Sequence, residues 1–125
     1  MAQILICDDD PMIRKLVSEF LMRDGHDVLI ANDGLDALVI LKQQKPDLLI
    51  LDIMMPEING YDVCHNIKLD PRLKDLPIVI LTARDQELDP RLGSLMGIDY
   101  VHKSATPKVL IEKIGRILTA KEPKS

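Results

Sequence analysis

Five short apolar runs, at 4–7, 28–31, 48–51, 78–81 and 98–101, recur at fairly even spacing, and a segment of helical period follows each one. The runs are continuous in Ile, Val and Leu rather than alternating with polar residues, the last being the weakest. Strands read this way when both of their faces are covered. Alternation of strand and helix five times over predicts an α/β fold: a doubly wound, five-stranded parallel sheet with five helices on both faces and right-handed crossovers. At 125 residues the chain suits one domain. No internal repeat, low-complexity segment or interdomain linker interrupts it.

The helices carry their own punctuation. The first opens at Pro11, with Asp10 placed to cap its free N–H groups. Its expected apolar face is Met12, Ile13, Leu16, Val17 and Phe20, with Arg14, Lys15 and Glu19 opposite. It stops at "DGH", where Gly25 can take a positive φ. The second starts at Asp33, presents Leu35, Leu38, Val39 and Leu41, and ends before Pro46. The third, over 60–68, presents Val63, Cys64 and Ile67; the fourth, over 87–96, presents Leu88, Leu92, Leu95 and Met96. The fifth, over 107–120, presents Leu110, Ile111, Ile114, Ile117 and Leu118.

Composition narrows the function. A net charge of −4 argues against a nonspecific nucleic-acid binder, and 2% aromatic residues with no Trp leave little for base stacking. No signal peptide follows Met1, and no apolar run approaches a membrane span, so a cytoplasmic protein without a membrane partner is expected. Cys7 and Cys64 fit no metal or redox spacing and read as buried, reduced thiols. His26, His65 and His102 stand one per segment, without ligand spacing, as surface or edge residues.

The stretch "ILICDDDPM" runs from oily strand straight into Asp8, Asp9 and Asp10. In an open α/β sheet, ligands bind beyond the carboxyl ends of the strands, where the strand order reverses. With the five-stranded order 2-1-3-4-5, that point lies between strands 1 and 3. Strand 1 ends in Asp8 and Asp9, and strand 3 in Asp52. Three carboxylates from distant parts of the chain then meet in one crevice, and a divalent cation is the natural compensation. Oxygen ligands of this density suit Mg2+ or Mn2+. Thr82 at the end of strand 4 and Lys103 at the end of strand 5 add a hydroxyl and an ammonium, a set suited to a phosphoryl group. Taken singly, each has a plain reading: Asp10 a helix cap, Asp52 a turn former, Thr82 a strand end, Lys103 a solvated lysine. Their common position at strand carboxyl ends favours the site.

These residues resemble the receiver domain of bacterial two-component response regulators, the stand-alone chemotaxis-regulator type included. The likeness rests on "ILICDDD", "PDLLILDIMMPEINGYDV", "LPIVILTAR" and "GIDYVHK", and spans about residues 3–120. It implies a receiver domain over 1–121 with a polar tail at 122–125. It also implies that Asp52 accepts a phosphoryl group from a histidine kinase or a histidine phosphotransfer protein, and that the chain is a switch rather than an enzyme. By the same resemblance Asp8, Asp9, Asp52 and the backbone carbonyl of Met54 bind Mg2+, with Asp9 the more direct ligand and Asp8 acting largely through water. Thr82 and Lys103 would bind the phosphoryl oxygens, and Thr82 with Tyr100 would form the switch that alters a partner-binding face. Without the resemblance, Tyr100 reads as an edge-strand residue with its hydroxyl in water.

The family's usual Lys-Pro is here Lys103-Ser104, where a cis bond would cost roughly 3 kcal/mol. Met54 and Arg84 flank the mouth, and a bulky Met54 is expected to slow self-dephosphorylation. Other readings are a degenerate receiver acting as an interaction domain, and a small Mg2+-dependent phosphatase using an aspartyl-phosphate. The second is disfavoured because Met54 stands where a second Asp is expected. A flavodoxin-like cofactor binder lacks support because acids occupy the place of a glycine-rich loop. The resemblance implies a downstream target protein that reads the partner-binding face. Arg91, Lys108, Lys113 and Arg116 read as the solvated sides of two helices.

Overall fold

The computed structural model describes residues 2–52, 60–82, 98–102 and 107–121. In chain order these hold β1 (Gln3–Cys7), α1 (Pro11–Arg23), β2 (Asp27–Ala31), α2 (Gly34–Gln43), β3 (Leu48–Asp52), α3 (Gly60–Leu69), β4 (Ile78–Thr82), β5 (Ile98–His102) and α4 (Pro107–Lys121). The strands form one parallel sheet in the order β2-β1-β3-β4-β5, the expected doubly wound topology. Four helices fall within the described residues. The helix expected over 87–96 lies outside them, as do the tail at 122–125 and Met54, Arg84, Arg91, Lys103 and Ser104. Among the described residues no helix is long and apolar enough to cross a membrane.

Strand residues alternate between two cores. Leu5, Cys7, Leu49, Leu51, Ile78 and Ile80 pack with Ala37, Leu41, Val63, Cys64 and Ile67 of α2 and α3. On the other face, Ile4, Ile6, Leu48, Ile50, Val79, Leu81 and Val101 pack with Leu21 of α1 and with Leu110 and Ile114 of α4. Each fully buried Leu or Ile contributes roughly 1.5–3 kcal/mol, so both layers are needed to hold the sheet. The sheet interior explains the continuous apolar runs, since β3 is buried along its whole length. β2 lies at the edge, and its Ile30 is 46% exposed.

The capping expectations agree with the structure. Asp10 accepts from the Met12 N–H at 2.9 Å, and Asp33 accepts from the Asp36 N–H at 2.8 Å. Gly25 has φ 91°, which lets the amides of Gly25 and His26 bond back to the Met22 and Leu21 carbonyls. The guanidinium of Arg72 donates to the carbonyls of Leu41 and Lys42, closing the C-terminal end of α2.

Two helix faces differ from expectation. In α1, Met12 and Leu16 are exposed, while Ser18 and Leu21 are buried and Ile13 and Val17 pack on the core. In α2, Leu35 and Val39 are exposed, and Gly34, Ala37 and Leu41 face inward. Each helix carries two adjacent apolar stripes, and small residues such as Ala37 let α2 sit close on the strands. His26 is also more than a surface residue: its Nδ1 accepts from the Ala2 N–H at 3.3 Å, and its Nε2 lies 3.2 Å from Asp24 Oδ2.

Candidate metal and phosphoryl site

The register of the two central strands builds the site. Cys7 on β1 pairs with Leu51 on β3, so Asp8 and Asp52 stand side by side, one step further along. Both continue the parity of Ile4, Ile6, Leu48 and Ile50, which is the face shared with α1 and α4. Asp8 is fully buried and Asp52 is 2% exposed, whereas Asp9 is open to solvent. One carboxylate oxygen from each of Asp8, Asp9 and Asp52 lies within 4.8 Å of the others.

Such a cluster is unfavourable by itself, because like charges taken out of water repel. The surroundings supply compensation. Asp8 Oδ1 accepts from the Asp10 N–H at 2.9 Å. The N-terminal end of α1, with its partial positive charge, begins directly after the acids. Arg14 Nη1 donates to the Asp8 carbonyl at 2.9 Å. The donor set is all oxygen, small and negatively charged, and it fits a hard divalent cation. Asp10 does not join the cluster and serves as the cap of α1.

The neighbouring thiol is held in its protonated form. Cys7 Sγ donates to the Asp33 carbonyl at 3.2 Å. Burial pushes its ionisation far up, and the charges of Asp33, Asp8 and Asp52 push in the same direction, so it stays protonated. Both cysteines are buried and neither is in a disulfide, as expected.

Thr82 ends β4 opposite His102, two residues beyond Ile80, and Ile80 pairs with Tyr100 on β5. Thr82 and Tyr100 therefore occupy neighbouring positions at the same end of adjacent strands. Tyr100 packs on the core shared with α2 and α3, and its hydroxyl is buried rather than in water. Lys113 of α4 donates to the Tyr100 carbonyl at 3.2 Å and lies 3.6 Å from Asp99 Oδ1, so it ties α4 to β5 instead of pointing freely into solvent. Lys108 is the surface residue expected, paired with Glu112 at 4.0 Å.

Sequence reasoning overlooked Arg14, which it assigned to the solvent side of α1. The overlooked signal is positional. Side chains on a helix lean toward its N-terminus, so a long cation in the first turns after an acidic loop reaches back to that loop.

A family model described as the response regulator receiver domain matches residues 4–115. The transcriptional regulatory protein AfsQ1 of Streptomyces coelicolor is 40% identical over 126 aligned positions, covering 100% of this chain and 55% of that protein. The chain thus spans about half the length of that relative. Protein PilH of Pseudomonas aeruginosa is 35% identical over 119 positions, covering 94% of this chain and 98% of PilH. Among solved structures, the signal receiver domain of a signal transduction histidine kinase from Syntrophus aciditrophicus superposes with TM-score 0.88 at 28% identity, covering 100% of this chain and 96% of that one. The parallel sheet order, the acid cluster at its switch point and these matches together establish that the chain belongs to the response regulator receiver domain family.

Proposed function

We propose that this receiver domain is a phosphorylation-driven switch whose phosphoacceptor is Asp52. The observation that carries this reading is the convergence of Asp8, Asp9 and Asp52 at the carboxyl ends of β1 and β3. The Asp52 carboxylate attacks the phosphorus of a phosphohistidine on a histidine kinase or phosphotransfer protein. A P–O bond forms, the P–N bond breaks, and the imidazole leaves. Asp8, Asp9 and Asp52, with the backbone carbonyl of Met54, would hold Mg2+, for which Mn2+ can substitute. Bound there, the cation offsets the negative charge of nucleophile and transferring oxygens. Lys103 pairs with a phosphoryl oxygen and Thr82 donates a hydrogen bond to another.

The product carries about −2 charge where the aspartate carried −1. That added charge draws Thr82 and Lys103 inward and changes the packing around Tyr100, which sits on the strand beside Thr82. The affected surface includes β5 and α4, and a downstream partner reads it. In this reading the unit is 1–121, it works in the cytoplasm, and its only chemistry is its own phosphorylation and dephosphorylation.

Intact mass after incubation with acetyl phosphate tests the proposal. One added phosphoryl group that requires Mg2+ and is lost in Asp52→Asn is the expected result. Absence of any adduct would overturn the switch and leave a degenerate receiver that acts through binding alone.

A further inference from the structure

The peptide between Asp8 and Asp9 presents two of the three clustered acids. A peptide group is planar, so fixing its carbonyl fixes the directions in which both residues leave it. That carbonyl belongs to Asp8, and it accepts the hydrogen bond from Arg14 Nη1. Arg14 is itself anchored: its backbone N–H donates to the Asp10 carbonyl at 3.0 Å, the first hydrogen bond of α1. The Asp10 N–H in turn holds Asp8 Oδ1. Residues 8 to 14 therefore form a closed frame, in which a rigid helix carries the arm that pins the acidic turn.

We propose that Arg14 is a positioning residue of the cation site, acting through the Asp8 carbonyl on the placement of Asp8 and Asp9. The inference rests on reading the acid cluster as a divalent-cation site. It makes a prediction opposite in sign to simple electrostatics. A guanidinium beside the cluster repels a metal ion, so on charge alone its removal should tighten binding. If its role is to hold the turn, removal should weaken binding, because repulsion among the acids then spreads them.

The test is Mn2+ affinity of the full chain, read by electron paramagnetic resonance of the free ion, for wild type, Arg14→Ala and Arg14→Lys. Exchange of the Asp10 amide in the metal-free protein is measured alongside, with urea unfolding as a check on the fold. The expected result is about 10-fold weaker Mn2+ binding in Arg14→Ala, the size of loss typical for outer-shell partners of metal ligands. The Asp10 amide should exchange faster while the amides of β1 and β3 keep their protection. Arg14→Lys retains the charge but not the fork, and should show a smaller loss in the same direction. If Arg14→Ala does not fold, Arg14→Lys carries the test with the same readouts. Unchanged or tighter Mn2+ binding, or an unchanged Asp10 amide, would overturn the proposal. A wild type that binds no Mn2+ would instead refute the cation site itself, and the role of Arg14 with it.

Discussion

At the N-terminal end of the sheet, Asp47 accepts from the Gln3 N–H at 2.8 Å and its own N–H donates to the Gln3 carbonyl at 2.7 Å. At the C-terminal end, Asp8, Asp9 and Asp52 crowd within 4.8 Å, two of them buried. The same residue type serves opposite purposes. One acid set against a backbone donor is satisfied locally and fastens β1 to the start of β3. Three acids set against one another accept an electrostatic cost that a purely structural sheet end would avoid. Clustering of this kind fits the end proposed here for metal and phosphoryl chemistry, and local pairing fits the end that fastens the strands.

Neutralising each end separately should separate the two roles. Asp47→Ala leaves the Gln3 amide without its acceptor, and a loss of about 1–3 kcal/mol in urea unfolding is expected, with Mn2+ affinity unchanged. A loss of metal binding in that variant would show that the ends are coupled.

Alkaline titration provides a reference that belongs to neither end. Burial raises the Cys64 thiol from 9.0 to about 12, with Lys68 acting against it. Between those values the unfolded chain has released a proton that the folded chain retains. The unfolded state binds fewer protons, so stability falls as pH rises above about 9, by up to about 1.4 kcal/mol per pH unit for one thiol. Cys7 acts in the same direction, and Lys68, whose ionisation is lowered by burial, opposes both. Cys64→Ala should flatten the fall in unfolding free energy between pH 9 and 11. An unchanged slope would assign the alkaline loss to other groups.

The smallest effect is also the most diagnostic. Asp8→Asn keeps a carbonyl oxygen for the Asp10 amide but removes one of the three charges. In metal-free buffer it should unfold at higher urea, by about 1 kcal/mol, the gain expected from relieving repulsion at the proposed cation site. Millimolar Mg2+ should then stabilise wild type and leave the variant nearly unmoved. A metal-free variant less stable than wild type would mean that Asp8 is held there for the fold.

Much of this was legible before any coordinates. The apolar runs became strands to within a residue at each end, and Asp10, Asp33 and Gly25 marked helix boundaries because capping and positive φ depend on a few neighbouring atoms. The faces of α1 and α2 were right only in part, with Ile13, Val17, Leu38 and Leu41 packing inward as expected, because periodicity finds an apolar stripe but not its centre. In α1 the stripe that docks is Ile13, Val17 and Leu21, and Met12 with Leu16 stay outside.

The sequence by itself determined the alternating elements, their caps and the placing of acids at the ends of the first and third strands, all of which follow from chemistry within one turn or one strand. Tertiary structure alone decided the β1–β3 register that sets Asp8 beside Asp52, the burial of the Tyr100 hydroxyl and the reach of Arg14 to the Asp8 carbonyl. Register and docking minimise the energy of the whole packed sheet, so they depend on partners distant in sequence as well as on each strand's own pattern.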